Sequence, residues 1–152
     1  MFSQRDQLIL EKVNEVREKG CRCGRIKMPA VKAVTWNDQL EYSALLHARD
    51  MKRHNYFGHY SKSGKDVGTR VEKIGYKWLV VGENLGEGQH SFEEVLNDWI
   101  KSSSHCEMLM DPRVTEMGVA KLDKYWVQHF GKPANPNKEL IRQTQKRRRS
   151  RN

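Results

Sequence analysis

Apolar residues along this chain follow a helical spacing in its first third. After Ser3, apolar positions three or four residues apart predict a helix, which Gly20 ends. Asn37 precedes a second predicted helix, in which apolar residues follow one another at spacings of four, four and three. These residues are Leu40, Ala44, Ala48 and Met51. Each segment therefore presents one apolar face to a core.

The middle of the chain predicts two further helices with a strand between them. A short helix ends at Gly75, and the apolar residues 79–81 follow it as a strand. Ser91 and Glu94 have the spacing of a capping box, which marks the start of the fourth helix. The apolar side of that helix consists of Phe92, Val95, Leu96, Trp99 and Ile100.

Strand-like segments appear near the end of the chain. Residues 116–120 and 125–130 flank residues 121–124 as the two strands of a hairpin would. The pattern therefore predicts a domain that combines several helices with short strands, and 152 residues suffice for one such domain.

Positive charge is concentrated at the C-terminus. The net charge is +9, and residues 138–152, with seven basic residues and one acidic residue, carry +6 of it. Because residues 133–137 are rich in proline and asparagine, we expect one domain over residues 1–133 and a disordered basic tail over residues 134–152. The tail suits an anionic membrane surface. Specific nucleic-acid binding is not predicted, because no aromatic residues are interleaved with these charges.

Two histidines and a glutamate carry the most informative chemistry. His59 and His105 lie on either side of Glu83, which comes shortly after the apolar residues 79–81. A buried carboxylate is costly unless it is hydrogen-bonded or paired. We therefore expect the two histidines to be the partners of Glu83.

Other potentially reactive residues are less well placed. His47 and His54 are expected on a polar helix face, and His129 on an edge strand. No serine has the setting of a nucleophile, since a Gly-x-Ser-x-Gly elbow is absent from the sequence. Cys106 is the better candidate for that role, because its neighbour His105 could favour the thiolate.

Short motifs occur in a fixed order between residues 7 and 133. They are Trp-Asn (36–37), Leu-Glu-Tyr-Ser-Ala (40–44), Phe-Gly-His (57–59), Gly-Glu-Asn-Leu (82–85), Asp-Trp-Ile (98–100), Ser-His-Cys-Glu-Met-Leu (104–109), Thr-Glu-Met-Gly-Val-Ala (115–120) and Tyr-Trp-Val-Gln-His-Phe-Gly (125–131). In this order they resemble a bacterial member of the CAP superfamily, or SCP domain, which includes cysteine-rich secretory proteins, insect venom antigens and plant pathogenesis-related proteins. The resemblance implies an α+β fold, a three-layer α-β-α sandwich around a small antiparallel sheet, with an open cleft.

The cleft of that family typically holds two histidines and two glutamates. His59, Glu83 and His105 match three of these residues. The fourth, three residues after the helix tryptophan, is Ser102 here, and we nominate Glu116 as the substitute. Neutral imidazoles and carboxylates suit zinc, so this set predicts zinc or another divalent metal, weakly bound. The alternative is a hydrogen-bonded cluster that orders the cleft without a metal.

Aromatic residues near the cleft motifs are candidates for its walls. They flank His59 or precede Glu83 in sequence, and an apolar ligand could lie against them. These residues are Tyr56, Phe57, Tyr60 and Trp78.

Three cysteines leave two interpretations open. Cys21 and Cys23 are too close to bridge each other without strain, so Cys106 is expected to pair with one of them and leave the other free. The alternative is a structural zinc site on Cys21, Cys23, Cys106 and His105. Bacterial members of the family that the chain resembles carry a similar Gly-Cys-x-Cys-Gly segment, which favours the disulfide and an oxidising compartment.

Two functions follow as hypotheses. The first is a secreted or periplasmic binding protein, monomeric and without its signal peptide, whose cleft takes a lipid, sterol, peptide or glycan. The second is a metal-dependent hydrolase that activates water between His59, Glu83 and His105. The resemblance favours binding over enzymatic activity.

Overall fold

The computed structural model describes residues 2–150 of the chain, apart from the side chains of residues 136–141. The helices of this part are α1 (Gln4–Lys19), α2 (Asp38–His54), α3 (Val67–Lys73), α4 (Phe92–Lys101), α5 (Ser103–Leu109) and α6 (Pro136–Arg149). The strands are β1 (Cys21–Cys23), β2 (Ile26–Met28), β3 (Thr35–Trp36), β4 (Trp78–Glu87), β5 (Glu116–Leu122) and β6 (Tyr125–Pro133).

Side-chain caps fix the predicted helix starts. Ser3 Oγ accepts a hydrogen bond from the backbone N–H of Asp6, and Gly20 ends α1. Asn37 caps α2 and Ser91 caps α4 in the same way. The predicted starts of these three helices are thereby confirmed.

One four-stranded sheet forms the centre of the molecule, with the strand order β3-β5-β6-β4. The predicted hairpin is confirmed as β5 and β6, and β4 pairs antiparallel with β6. The two-residue strand β3 runs parallel to β5, and β1 and β2 form a separate small hairpin. The hydrophobic pattern does not predict β1, β2, β3 or α5, because such short elements show too few periods to be recognised.

Helices cover both faces of this sheet, as the resemblance implied. On one face, Ala44, Ala48 and Met51 of α2 pack with Leu85 and Val127. On the other face, α1 and α4 build the larger core with Ile9, Val13, Phe92, Val95, Trp99, Trp126 and Phe130. The architecture is therefore an α-β-α sandwich.

A glycine lets α2 approach the sheet closely. A Cβ on Gly118 would lie 2.1 Å from the backbone nitrogen of Glu41 in α2, so no larger residue fits at this position. The close approach brings the side chains of α2 within reach of the neighbouring strand β6.

The C-terminal segment differs from the sequence expectation. Residues Pro136–Arg149 form helix α6, whereas we expected a disordered tail over residues 134–152, of which residues 151–152 lie outside the described part. Proline suits the first helical position, and the lysines, arginines and glutamines that follow are good helix formers. The boundary between domain and tail stays a prediction. Within residues 2–150, no helix is both long and apolar enough to cross a membrane.

Candidate functional site

A buried carboxylate lies at the centre of the site. The side chain of Glu83 is 2% exposed. Its Oε1 accepts a hydrogen bond from Nδ1 of His59 at 2.9 Å. Its Oε2 accepts two, from the Arg70 guanidinium at 2.9 Å and from Nε2 of His129 at 2.6 Å. Both oxygens are therefore occupied by protein donors.

Sheet register brings Glu83 and His129 together. Glu83 in β4 lies directly opposite His129 in β6, and His129 lies opposite Gly118 in β5. We expected His129 on an edge strand without a partner, and this expectation was wrong because β6 lies between β4 and β5. His129 is fully buried beneath α2, where its Nδ1 lies 2.6 Å from Oγ of Ser43.

Arg70 of α3 links the carboxylate to the loop before that helix. Besides Glu83, its guanidinium donates to the carbonyl oxygen of His59 at 2.6 Å and to that of Lys65 at 3.3 Å. The side chain is 12% exposed. Arg70 therefore holds both the charge of Glu83 and the backbone of His59 in place.

These contacts settle the charge of Glu83. Burial alone would raise the pKa of this carboxyl, but the hydrogen bonds from His129 and His59 and the charge of Arg70 outweigh it and hold the pKa well below its usual range. Glu83 is consequently ionised at neutral pH.

The neutral form of His129 completes the hydrogen bonding. Burial lowers the pKa of His129, although Glu83 opposes this effect. A neutral ring carries one proton, and the ionised carboxylate requires that proton on Nε2. Nδ1 is then an acceptor, and the single hydroxyl proton of Ser43 is shared between this nitrogen and the carbonyl oxygen of Leu40, which lies 2.9 Å from Oγ.

His105 reaches the same edge of the sheet from the opposite helical layer. Successive residues of a strand face opposite sides, so Glu83 faces α2 while Asn84 faces α5, where its amide donates to the carbonyl of His105 at 3.2 Å. Nδ1 of His105 lies 2.8 Å from Oγ of Ser102. Since β4 is the edge strand, His59 and His105 lie at the same edge of the sheet, on its two opposite faces.

The pKa values of the two histidines are shifted in opposite directions. The hydrogen bond to Glu83 raises the pKa of His59, while burial and then the charge of His59 lower the pKa of His105. Within the described residues, neither Nε2 forms a hydrogen bond, and each carries a lone pair in the neutral tautomer whose proton is on Nδ1.

Glu116 lies away from this group. It starts β5 opposite Gly131, two strands from Glu83 and two residue rows further along the sheet. Its oxygens accept hydrogen bonds from Tyr76 at 2.9 Å and from Asn37 at 3.2 Å. At a spacing of about 4.8 Å between strands, its carboxylate is not brought to the ligand group for which we nominated it.

The expected wall residues differ in their surroundings. Phe57 stacks on Tyr125 with ring centroids 6.4 Å apart, and Tyr60 is 66% exposed. Tyr56 donates to Asp50, and the Trp78 indole donates to the carbonyl of Gly68 at 3.0 Å. Phe57 and Tyr60 are therefore the exposed aromatic residues that flank His59 in the sequence.

His47 was also misplaced by the sequence pattern. It was expected on a polar helix face but is 1% exposed, with Nε2 donating to the carbonyl of Gly58 at 2.8 Å. Burial lowers the pKa of His47. It therefore supports the loop that carries His59.

Cys106 forms its disulfide with Cys23, which resolves the open pairing. Cys21 has a free thiol, 3.5 Å from the sulfur of Cys106. The alternative zinc site on three thiolates and His105 is not formed, because two of the three sulfurs are joined covalently.

Acid should destabilise the protein through its buried histidines. Folding lowers the pKa of His129 and His47, so below about pH 6.5 the unfolded chain binds protons that the folded chain does not. The lowered pKa of Glu83 acts in the same direction at still lower pH, whereas the raised pKa of His59 opposes it. Urea unfolding should give a smaller free energy of unfolding at pH 5 than at pH 7.

A histidine variant tests the origin of this slope. His129→Gln should flatten the dependence on pH, whereas His90→Gln, at an exposed position, should leave it unchanged. Equal stability of the native protein at the two pH values would contradict the assignment of neutral buried histidines.

Known proteins are similar to this chain in sequence and in fold. The protein YkwD of Bacillus subtilis is 28% identical over 127 residues, which make up 82% of this chain and 46% of YkwD. The crystal structure of an extracellular protein containing an SCP domain from Bacillus anthracis is 26% identical, with a TM-score of 0.74, over 83% of this chain and 39% of that protein. The chain thus spans less than half of either relative.

A third similarity concerns the fold alone. An outer surface protein of Borrelia burgdorferi, at 21% identity, superimposes with a TM-score of 0.74 over 88% of this chain and 96% of that one.

Residues 10–130 match the Cysteine-rich secretory protein family, called CAP. This match covers most of the chain and every element from α2 to β5, so the chain belongs to the CAP family.

Proposed function

We propose that this chain is a secreted or cell-surface binding domain. Its cleft beside β4 would take a lipid, sterol, peptide or glycan ligand, together with a weakly bound divalent ion on His59 and His105. Two observations support export: the similar Bacillus anthracis protein is extracellular, and the chain has a disulfide between Cys23 and Cys106.

The occupied state of Glu83 favours binding over hydrolysis. A general base needs a free oxygen within reach of water and a pKa near the working pH. Glu83 has three protein donors on its two oxygens and a pKa held well below its usual range. The carboxylate is therefore suited to orient His59 rather than to accept a proton from water.

The residues of the cleft fit a divalent ion in part. Because Nδ1 of His59 donates to Glu83, its Nε2 carries the lone pair that a metal needs, which is the usual arrangement of a carboxylate behind a metal-binding histidine. His105 offers its own Nε2. Within residues 2–150, the sole cluster of three or more potential ligand groups is that of the three cysteines, so the cleft supplies two imidazoles. Two imidazoles hold zinc weakly and leave positions for a ligand.

Zinc titration by calorimetry tests this assignment. His59→Ala and His105→Ala should each abolish binding, and Glu83→Gln should weaken it about 10- to 100-fold, since it loosens the orientation of His59. Affinity should fall as the pH drops and the imidazoles take protons. His54→Ala, on the surface of α2, is the matched control. Zinc binding that survives both cleft substitutions would contradict the site.

Histidine resonances test the ligand cleft itself. With the histidine rings labelled, a fatty acid, cholesterol, a peptide mixture and a soluble peptidoglycan fragment are each titrated in turn. A cleft ligand should shift the signals of His59 and His105 and leave those of His54 and His90 unchanged. Cleavage of a peptide library that Glu83→Gln abolishes would instead establish the hydrolase.

A further inference from the structure

Three sulfur atoms meet where β1 packs against α5. Side chains alternate along a strand, so Cys21 and Cys23 project from the same side of β1. Their sulfurs and that of Cys106 all lie within 4.8 Å of one another. Cys21 Sγ is 3.5 Å from Cys106 Sγ, so the free thiol touches the disulfide.

We propose that these cysteines form a thiol–disulfide exchange site, in which Cys106 pairs with either Cys23 or Cys21. The thiolate of Cys21 attacks Sγ of Cys106. A Cys21–Cys106 bond forms, the Cys23–Cys106 bond breaks, and Cys23 leaves as a thiolate that then takes up a proton. The number of disulfides does not change, so the step consumes neither oxidant nor reductant.

Chain connectivity does not distinguish the two isomers. The sequence separation is 83 residues for Cys23 with Cys106 and 85 residues for Cys21 with Cys106. Loop closure depends on the logarithm of this length, so its contribution is almost the same for both bonds. Either bond also ties β1 to α5. Local packing around the sulfurs therefore sets the ratio of the isomers.

The two isomers differ in which cysteine carries the free thiol. Cys21 is half-buried, whereas Cys23 is 1% exposed. When Cys21 is free, a thiol can react with molecules outside the protein. When Cys23 is free, the thiol is enclosed between β1 and α5. Exchange therefore decides whether the protein presents an accessible thiol to its surroundings.

Peptide mapping of the full-length oxidised protein tests the exchange. The protein is incubated at mildly acidic and mildly alkaline pH, quenched with acid, denatured, and labelled with a maleimide before digestion. Trypsin cuts after Arg22 and so separates Cys21 from Cys23. The peptides 20–22 and 23–25 have the same composition, so fragment spectra must assign the label. We expect label on both cysteines, appearing faster at alkaline pH, where more of the Cys21 thiol is ionised.

Label on Cys21 alone at every pH would overturn the proposal. As a control, native protein whose Cys21 is first blocked with the maleimide should show no label on Cys23 after incubation. Cys23→Ser gives a second, independent measurement: after air oxidation and denaturation it should have no free thiol, because Cys21 and Cys106 pair. Two free thiols in folded Cys23→Ser would also overturn it. Cys21→Ser, the matched variant, should keep its disulfide and show no exchange.

Discussion

Replacing Arg70 by methionine should lower the free energy of unfolding by about 3–5 kcal/mol, because it leaves the buried carboxylate of Glu83 without its cationic partner. The substitution also removes the hydrogen bonds to the carbonyls of His59 and Lys65. Urea denaturation at pH 7 measures the loss. Arg70→Lys should give an intermediate value, since lysine keeps the charge but not the fork of donors.

A second substitution distinguishes charge from packing. In the Arg70→Met background, Glu83→Gln removes the unpaired charge and should cost less than it does in the native protein, so the two losses are not additive. Lys77→Met is the matched control, because its ion pair with Glu72 is exposed and should contribute less than about 1 kcal/mol. A loss below about 1 kcal/mol for Arg70→Met would mean that Glu83 does not depend on this partner.

Removing the disulfide should have an effect of similar size. Cys106→Ser excludes both pairings, and the bond from Cys23 closes a loop across 83 residues. Chain-entropy arguments give roughly 4 kcal/mol for a loop of this length. Thermal and urea unfolding of the variant measure the loss. Reduction of the native protein should reproduce it.

Cys21→Ser serves as the control for this loss. It changes a cysteine in the same strand but leaves the bond between Cys23 and Cys106 intact, so its stability should stay within about 0.5 kcal/mol of the native value. A Cys106→Ser protein as stable as the native one would show that packing alone holds β1 against α5.

Long periodic segments could be predicted from the sequence, and short ones could not. The caps at Ser3, Asn37 and Ser91 marked α1, α2 and α4 because each side chain bonds its own first turn, which is a local event. Strand β3 has two residues and pairs with a distant partner. The sequence around Thr35 and Trp36 does not specify this partner.

The candidate site could be predicted from the sequence only through the order of the motifs. The cost of burying Glu83 predicted His59 and His105 as its partners, and this was correct for His59 only. His105 bonds Ser102 instead, and the second histidine on Glu83 is His129. Arg70, Ser43 and His129 were missed because their roles depend on strand register and on the packing of α2 and α3. A one-residue shift of β6 would turn His129 to the opposite face. Register of this kind is decided by the whole sheet and not by the residues near His129.

The pairing of β3 with β5 also sets the order in which the fold can be completed. Thr35 of β3 lies beside Glu116 of β5, and β5 in turn needs β6 as its other neighbour. During synthesis the N-terminal part of the chain emerges first. It can form α1 and α2 early, because the hydrogen bonds within a helix are local. The central sheet must wait until the segment up to Pro133 is available, since contacts between distant segments form slowly. Until then, the apolar face of α2 has no strand to cover it, and this interval is when the chain is most prone to aggregate.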